Sequence, residues 1–215
     1  MKLQSILTIV LILVAGFAIF KAISTYNKKP EPNLSVSQPL ANEPAGLLEG
    51  NENAPLVIYK FFDYSCQFCK QSAEQLTTIL KDFNQKFKII HTPLSFGNEF
   101  SPNHRAASIS ACEYDSFGEL SAHHFFYNHQ ENLEVALDSG LTTILHRYSD
   151  DEIDIIQNCM DSPLYSEWLE TNRSIAQQVG LSSVPALLID TDIYIGTYSG
   201  RQLQSIINSY LTDDN

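Results

Sequence analysis

Basic residues are scarce in this chain, and the few present are unevenly placed. Lysine and arginine number 13 against 25 acidic residues, for a formal net charge of −12. Four of the basic residues (Lys2, Lys21, Lys28 and Lys29) precede Pro30, and the first 29 residues contain no Asp or Glu. The remainder therefore carries 9 basic against 25 acidic residues, or −16. So acidic a body excludes binding to phosphate backbones, and anionic lipid headgroups repel it; solubility alone explains the charge. No internal repeat is present, which sets aside solenoids and arrays.

Cysteine is also sparse, at four residues, but two of them fall close together in Cys66-Gln67-Phe68-Cys69. No second C-x-x-C or His-x-His pair follows at ribbon or finger spacing, which argues against zinc. A structural disulfide is the other bland reading. The context favours redox chemistry. The apolar run Leu56-Val57-Ile58-Tyr59-Lys60-Phe61-Phe62 predicts a strand before the pair, and Gln71 to Phe83 has helical character after it. The unpaired N–H groups and dipole of a helix N-terminus stabilise a thiolate on the first cysteine and make it the attacking sulfur. The second cysteine, about one turn on, is placed to attack the resulting mixed disulfide and release the partner.

The N-terminus is apolar from Leu3 to Phe20 and continues past Lys21 to Ile23. That length suits a bilayer span better than the short apolar core of a cleaved signal peptide. No small-x-small cleavage site follows, and no cysteine lies directly after the run to carry a lipid. Residues 1–26 are expected to be a membrane anchor, with a signal segment as the alternative. The lysines after the run weakly favour a cytoplasmic body, whereas the cysteine usage favours an oxidising compartment; the second argument leads the expectation. Residues 27–49, with Pro30, Pro32, Pro39 and Pro44, read as a solvated spacer. Residues 50–215 are the size of one domain.

Within that body Lys88-Ile89-Ile90-His91-Thr92 predicts a second strand. Ser101-Pro102 predicts a helix start, and Ser149-Asp150-Asp151-Glu152 fits a capping box. Ser162-Pro163 offers another helix start, with Gly180 as its stop. Strand signals resume at Ala186 to Asp190 and Ile193 to Gly196, with Thr191-Asp192 as the turn, and an amphipathic helix from Arg201 to Tyr210 closes the chain. The predicted order is β-α-β, about five helices over residues 100–180, then β-β-α. The fold class is α/β, a small mixed sheet interrupted by a helical insertion.

These features resemble the DsbA-like branch of the thioredoxin superfamily, the extracytoplasmic thiol-disulfide oxidoreductases. The resemblance rests on Gly50-Asn51-Glu52-Asn53-Ala54-Pro55, on Phe61-Phe62-Asp63-Tyr64-Ser65-Cys66-Gln67-Phe68-Cys69, on Gly180-Leu181-Ser182-Ser183-Val184-Pro185-Ala186 and on Gly196 to Gly200. It covers residues 50 to 211. It implies a thioredoxin fold, Cys66 as nucleophile and Cys69 as resolving thiol. It also implies a cis Pro185 which, with Val184, offers a backbone edge to an extended substrate. Protein substrates are implied, with a membrane quinone-linked thiol oxidase as reoxidant and no metal or organic cofactor.

The chain departs from the family's pattern where strong oxidants carry Pro and His between the cysteines: here stand Gln67 and Phe68. Relatives also place a buried acid six residues before the first cysteine, where this chain has Lys60. An ammonium there favours a thiolate; alternatively Lys60 snorkels to the surface. Relatives carry a cysteine pair in places comparable to Cys112 and Cys159, so the resemblance implies a bridge, with two buried free thiols as the alternative. His123, His124 and His129 suit packing in an aromatic helix better than metal ligation. Asn33-Leu34-Ser35 and Asn172-Arg173-Ser174 match glycosylation acceptors, a pattern common by chance. A disulfide donor is the leading expectation. A reductase or isomerase, and a non-catalytic binding or chaperone module, are the alternatives.

Overall fold

The computed structural model describes residues 3–26, 28–37, 40, 42–83, 86–98, 100–138 and 146–212. Met1, Lys2, Asn27 and Pro39 of the predicted anchor and spacer lie outside them. The chain divides into two units, Met1–Pro30 and Glu31–Asn215. The first is a helix, α1 (Leu3–Tyr26). Its stretch Thr8–Thr25 is long and apolar enough to cross a membrane and contains one charge, Lys21. At 1.5 Å per residue, 18 residues reach about 27 Å, close to a bilayer's hydrocarbon thickness. A signal segment has the same properties.

The second unit is built on a six-stranded sheet. In chain order its elements are β1 (Leu34–Ser35), β2 (Leu47–Gly50), β3 (Leu56–Phe62), α2 (Gln67–Asp82) and β4 (Phe87–Pro93). A helical block follows, comprising α3 (Pro102–Phe117), α4 (Ser121–Asn128), a 3-10 turn (Gln130–Asn132), α5 (described over 133–138), α6 (Asp150–Met160) and α7 (Leu164–Gln178). The hairpin β5 (Ala186–Ile189) and β6 (Asp192–Ile195) returns to the sheet, and α8 (Gly200–Thr212) ends it. The strand order is β1-β6-β5-β3-β4-β2, with β3 and β4 parallel and the other pairs antiparallel. This is the thioredoxin fold with the predicted helical insertion.

Alternation along the strands sorts side chains into two faces. Ile58, Ile89, Leu187 and Ile189 pack with Leu76 and Ile79 of α2 and Leu203 and Ile206 of α8. Phe61, Ala186, Leu188 and Ile193 pack with Ile175 and Val179 of α7 on the other face. Phe62, at the end of β3, joins Cys69, Ala106, Ile109 and Phe126 in a third cluster that fastens the helical block to the sheet. The helix boundaries follow local chemistry. Ser149 and Glu152 close the capping box on α6. Gly180, at φ +68°, ends α7 in a Schellman arrangement, with Leu181 N–H on Ala176 C=O and Gly180 N–H on Gln177 C=O.

The structure departs from the sequence expectation in two places. Part of the predicted spacer is folded: Leu34–Ser35 pairs with β6 at one sheet edge, and Leu47–Gly50 with β4 at the other. Between them Ala45 is held by Asn172, whose amide exchanges hydrogen bonds with Ala45 and also donates to Pro93 C=O. That amide is buried and committed, so Asn172 is no accessible glycan acceptor in the folded chain. Asn33 Oδ1 likewise accepts from Ile195 N–H. Edge pairing runs through the backbone and needs no apolar alternation, so proline content misled the reading. The second departure is the β5–β6 turn, which falls on Asp190-Thr191; Asp192 already pairs with Ile189, and Asp190 takes the left-handed φ of +55° that short polar residues tolerate.

Cys112 of α3 and Cys159 of α6 are joined in a disulfide, spanning 47 residues. By the chain-entropy account a loop of that length contributes about 4 kcal/mol. Replacing both cysteines by Ala should lower the unfolding free energy in urea by roughly that amount, and a reductant should lower the wild type equally.

Candidate active site

Phe62 closes β3, residues 63–65 form the connecting turn, and Cys66 is the N-cap of α2. Cys69 sits within the helix's first turn, fully buried, whereas Cys66 is half-buried. Both are free thiols. Opposite Cys66 lies the loop before β5, where the Val184–Pro185 bond is cis and the Cys66 thiol faces Val184 C=O at 3.7 Å.

The two sulfurs are electrostatically unlike. The Cys69 thiol and the backbone N–H groups of Cys69 and Phe68 lower the Cys66 pKa to about 7, against partial burial and the charge of Asp63. Cys69 is pushed far upward, by burial first and then by its hydrogen bond to Cys66. The pair therefore ionises at Cys66, the sulfur that solvent can reach. Gln67 and Phe68, between the cysteines, are exposed, Phe68 by 63 %. They line an 870 Å³ groove together with Lys70, Glu74, His129 and Gln130. Phe68 contributes to the thiolate through its amide, not its ring.

Lys60 does not snorkel. Strand alternation turns it toward the α2 face between Ile58 and Phe62, and its relative exposure is 0 %. Nζ donates to Tyr127 Oη at 2.6 Å and stands 4.9 Å from the Phe62 ring centroid and 4.6 Å from that of Tyr127. Burial lowers its pKa to about 8, opposed in order by the charges of Cys69, Glu49 and Cys66. Glu49, from the predicted spacer, hydrogen-bonds His91 at 2.8 Å and supplies an acid near this lysine. His91 stays neutral, its pKa brought down to about 4 chiefly by burial.

Asp63 had no role on sequence grounds, yet its carboxylate organises the site. Oδ1 accepts from Ser65 N–H and Ser65 Oγ–H, and Oδ2 from Phe96 N–H at 2.7 Å and Asn103 Nδ2 at 2.8 Å. Gln130 was also missed; its Nε2 donates to Cys66 C=O at 3.3 Å. Position immediately before the C-x-x-C turn was the available signal for Asp63; for Gln130 there was none. His123 is buried against Tyr64 Oη at 2.6 Å, itself bonded to Ser110. His124 and His129 are exposed. Among the described residues no group of three or more His, Cys, Asp or Glu is arranged to hold a metal ion.

A free dithiol at the N-terminus of the helix that follows the central strand, beside a cis-proline loop, defines a thioredoxin-fold thiol-disulfide oxidoreductase. The sequence pattern of the family described as Thioredoxin matches residues 42–209, and the chain belongs to that family. Similar solved structures include the thiol-disulfide exchange protein alpha-DsbA2 of Wolbachia pipientis, with TM-score 0.58, 21 % identity and coverage of 76 % of this chain and 86 % of that one. A periplasmic thioredoxin-like protein of Salmonella enterica serovar Typhimurium gives 0.55, 22 %, 80 % and 94 %. At such identities the likeness is one of fold, and the fold is DsbA-like. A curated relative, the Na(+)/H(+) antiporter NhaA 1 of Mycolicibacterium vanbaalenii, is 28 % identical over 128 residues, 58 % of this chain and 20 % of that protein. The chain spans about a fifth to a quarter of the length of the curated relatives it matches.

Alkylation of Cys66 by iodoacetamide should accelerate through a midpoint near pH 7, well below that of a free thiol. Replacing Asp63 by Asn should lower that midpoint further by removing an opposing charge. It should also reduce stability by about 1–3 kcal/mol, because buried donors lose their carboxylate. Because the Cys66 pKa is depressed on folding, its contribution to the reduced form is complete above about pH 8.5. It is lost as pH falls through about 7, and amounts to on the order of 1 kcal/mol after allowing for solvent screening. Urea titrations of the reduced form across that range measure it.

Proposed function

We propose that this protein donates disulfides to protein substrates outside the cytoplasm, held at the membrane by α1. The observation that carries the reading is the unequal pair: an accessible, readily ionised Cys66 above a buried Cys69, with Val184 C=O facing the first sulfur. In this reading a substrate thiolate attacks Cys66 Sγ of the oxidised pair. The Cys66–Cys69 bond breaks, Cys69 leaves with the electron pair, and a mixed disulfide joins Cys66 to the substrate. A second substrate thiolate attacks the substrate sulfur of that bridge and expels Cys66 as a stabilised thiolate. The substrate is oxidised by two electrons and the protein reduced by two. The main chain at Val184 and Pro185 offers a partner edge for the substrate's extended backbone. A membrane quinone-linked thiol oxidase is the proposed reoxidant.

Location outside the cytoplasm is supported by an apolar N-terminal helix and by a structural disulfide, a bond that persists in oxidising compartments. The relative described as periplasmic fits this placement.

A second reading, a disulfide reductase or isomerase, is favoured by Cys66 standing at about 7 and by Phe68 where an imidazole would deepen thiolate stability. Equilibration in glutathione buffers decides between them. The donor reading expects a potential toward about −120 mV; a value near about −270 mV reassigns the protein as a reductase. With Cys69 changed to Ser, mixed disulfides with substrate should accumulate on Cys66. With Cys66 changed to Ser, all exchange should cease; retained partner binding with no reversible couple in the wild type would mark a binding module instead.

A further inference from the structure

Resting on the oxidoreductase reading, we propose that the 870 Å³ groove beside Cys66 binds the main chain of an extended polypeptide. It takes the segment flanking the substrate cysteine by its peptide groups, whatever side chains that segment carries.

The groove is rich in carboxamides. Gln67 and Gln71 come from α2, and Asn128, Gln130 and Asn132 from the end of α4 and the 3-10 turn after it. A carboxamide presents a carbonyl acceptor and N–H donors in one plane, as a peptide unit does. It can therefore pair with a peptide unit through both donor and acceptor, and every residue except proline offers such a unit. Gln67 and Gln71 stand four positions apart on one face of α2, about 6 Å along its axis. Alternate residues of an extended chain face the same way and lie about 6.6 Å apart. The two repeats nearly coincide, so an extended segment laid along α2 meets both glutamines.

These amides are also uncommitted. Among the described residues, the side chains of Gln67, Gln71, Asn128 and Asn132 are exposed and make no hydrogen bond within the chain. Gln130 differs. Its Nε2 donates to Cys66 C=O at 3.3 Å, which ties the turn to the backbone of the reactive cysteine, while its Oε1 is buried without a partner. A buried acceptor left unpaired calls for a donor, and a substrate N–H entering beside Cys66 is one. An apolar cleft would grade substrates by their side chains; among the described residues that line this groove, Phe68 alone is apolar. Lys70, Glu74 and Glu131 bring both signs of charge to it, so net charge does not select either. The Val184–Pro185 edge then holds one flank of the substrate cysteine and the groove the other. A cysteine within a formed helix or sheet has its neighbouring peptide groups already paired. Such a cysteine is passed over, and selection is for lack of structure.

The oxidised full-length protein in detergent is reacted with peptides carrying one cysteine each, and the second-order rate constant is read. One probe is a capped Gly-Cys-Gly tripeptide, the other the same core with unstructured flanks. The flanked peptide should react about tenfold faster, the effect of one or two net hydrogen bonds. Scrambling the flanks should preserve that ratio, and N-methylating alternate flank nitrogens should abolish it. The Val184 edge also pairs with main chain, so variants locate the effect: Gln71→Leu and Asn132→Leu, at exposed positions, should each cut the ratio about threefold. Because a variant could misfold, the wild type gives a second readout. Side-chain amide resonances of Gln67, Gln71, Asn128 and Asn132 in the reduced protein should move on titration with the flanked peptide bearing serine for cysteine. With its N-methylated form they should stay in place. Equal rates for the two probes, a ratio that survives N-methylation, or variants and resonances indifferent to the flanks overturns the proposal and leaves the oxidoreductase reading intact. If no thiol peptide reduces the pair, the tripeptide included, that reading and this inference fall together.

Discussion

The four hydrogen bonds collected by the Asp63 carboxylate are the constraint on which the active end of the molecule depends. One oxygen fixes the turn that delivers Cys66 to the start of α2, and the other fixes Phe96 in the β4–α3 connection and Asn103 in the first turn of α3. Sheet, dithiol helix and helical block thus meet at a single buried charge. Charge-assisted hydrogen bonds are the strong ones, and this carboxylate is satisfied entirely by neutral donors. That arrangement carries a consequence for the chemistry: its charge opposes ionisation of Cys66. Structural order and sulfur reactivity are in tension at one residue, and the Cys69 thiol, with the amides at the helix start, tips the balance toward the thiolate.

Lys60 shows the same tension on the other side of the pair. A lysine at the centre of a sheet, with a phenol as its hydrogen-bond partner, is a poor choice for stability. Since burial lowers its pKa from the usual lysine value to about 8, the unfolded chain binds more protons between those limits, and this group's penalty shrinks as pH rises through the interval.

How much of this was legible in the sequence depended on whether the signal was local. The strand ending at Phe62, the helix after the cysteines, the capping box at Ser149 and the stop at Gly180 are each written within a few neighbouring positions, and each could be read there. The edge strands were not legible, because Leu34-Ser35 and Leu47 to Gly50 pair through their backbones and carry no periodic pattern. The partners of the key side chains were invisible for a different reason. Tyr127 lies 67 residues from Lys60 and Asn103 lies 40 from Asp63, distances at which only the completed topology decides who meets whom. The sequence singled out Lys60 as an oddity; only the strand register showed that it points inward.

The two outermost strands of the sheet are two and four residues long. A protein proposed to handle unfolded chains works among polypeptides with unpaired backbone groups, each a candidate to extend any open sheet. Short borders leave such a chain almost nothing to zip onto, so contact with the substrate need not become incorporation of the substrate. On the proposed function, the pairing of residues 34–35 and 47–50 at those borders would protect the molecule from its own clientele.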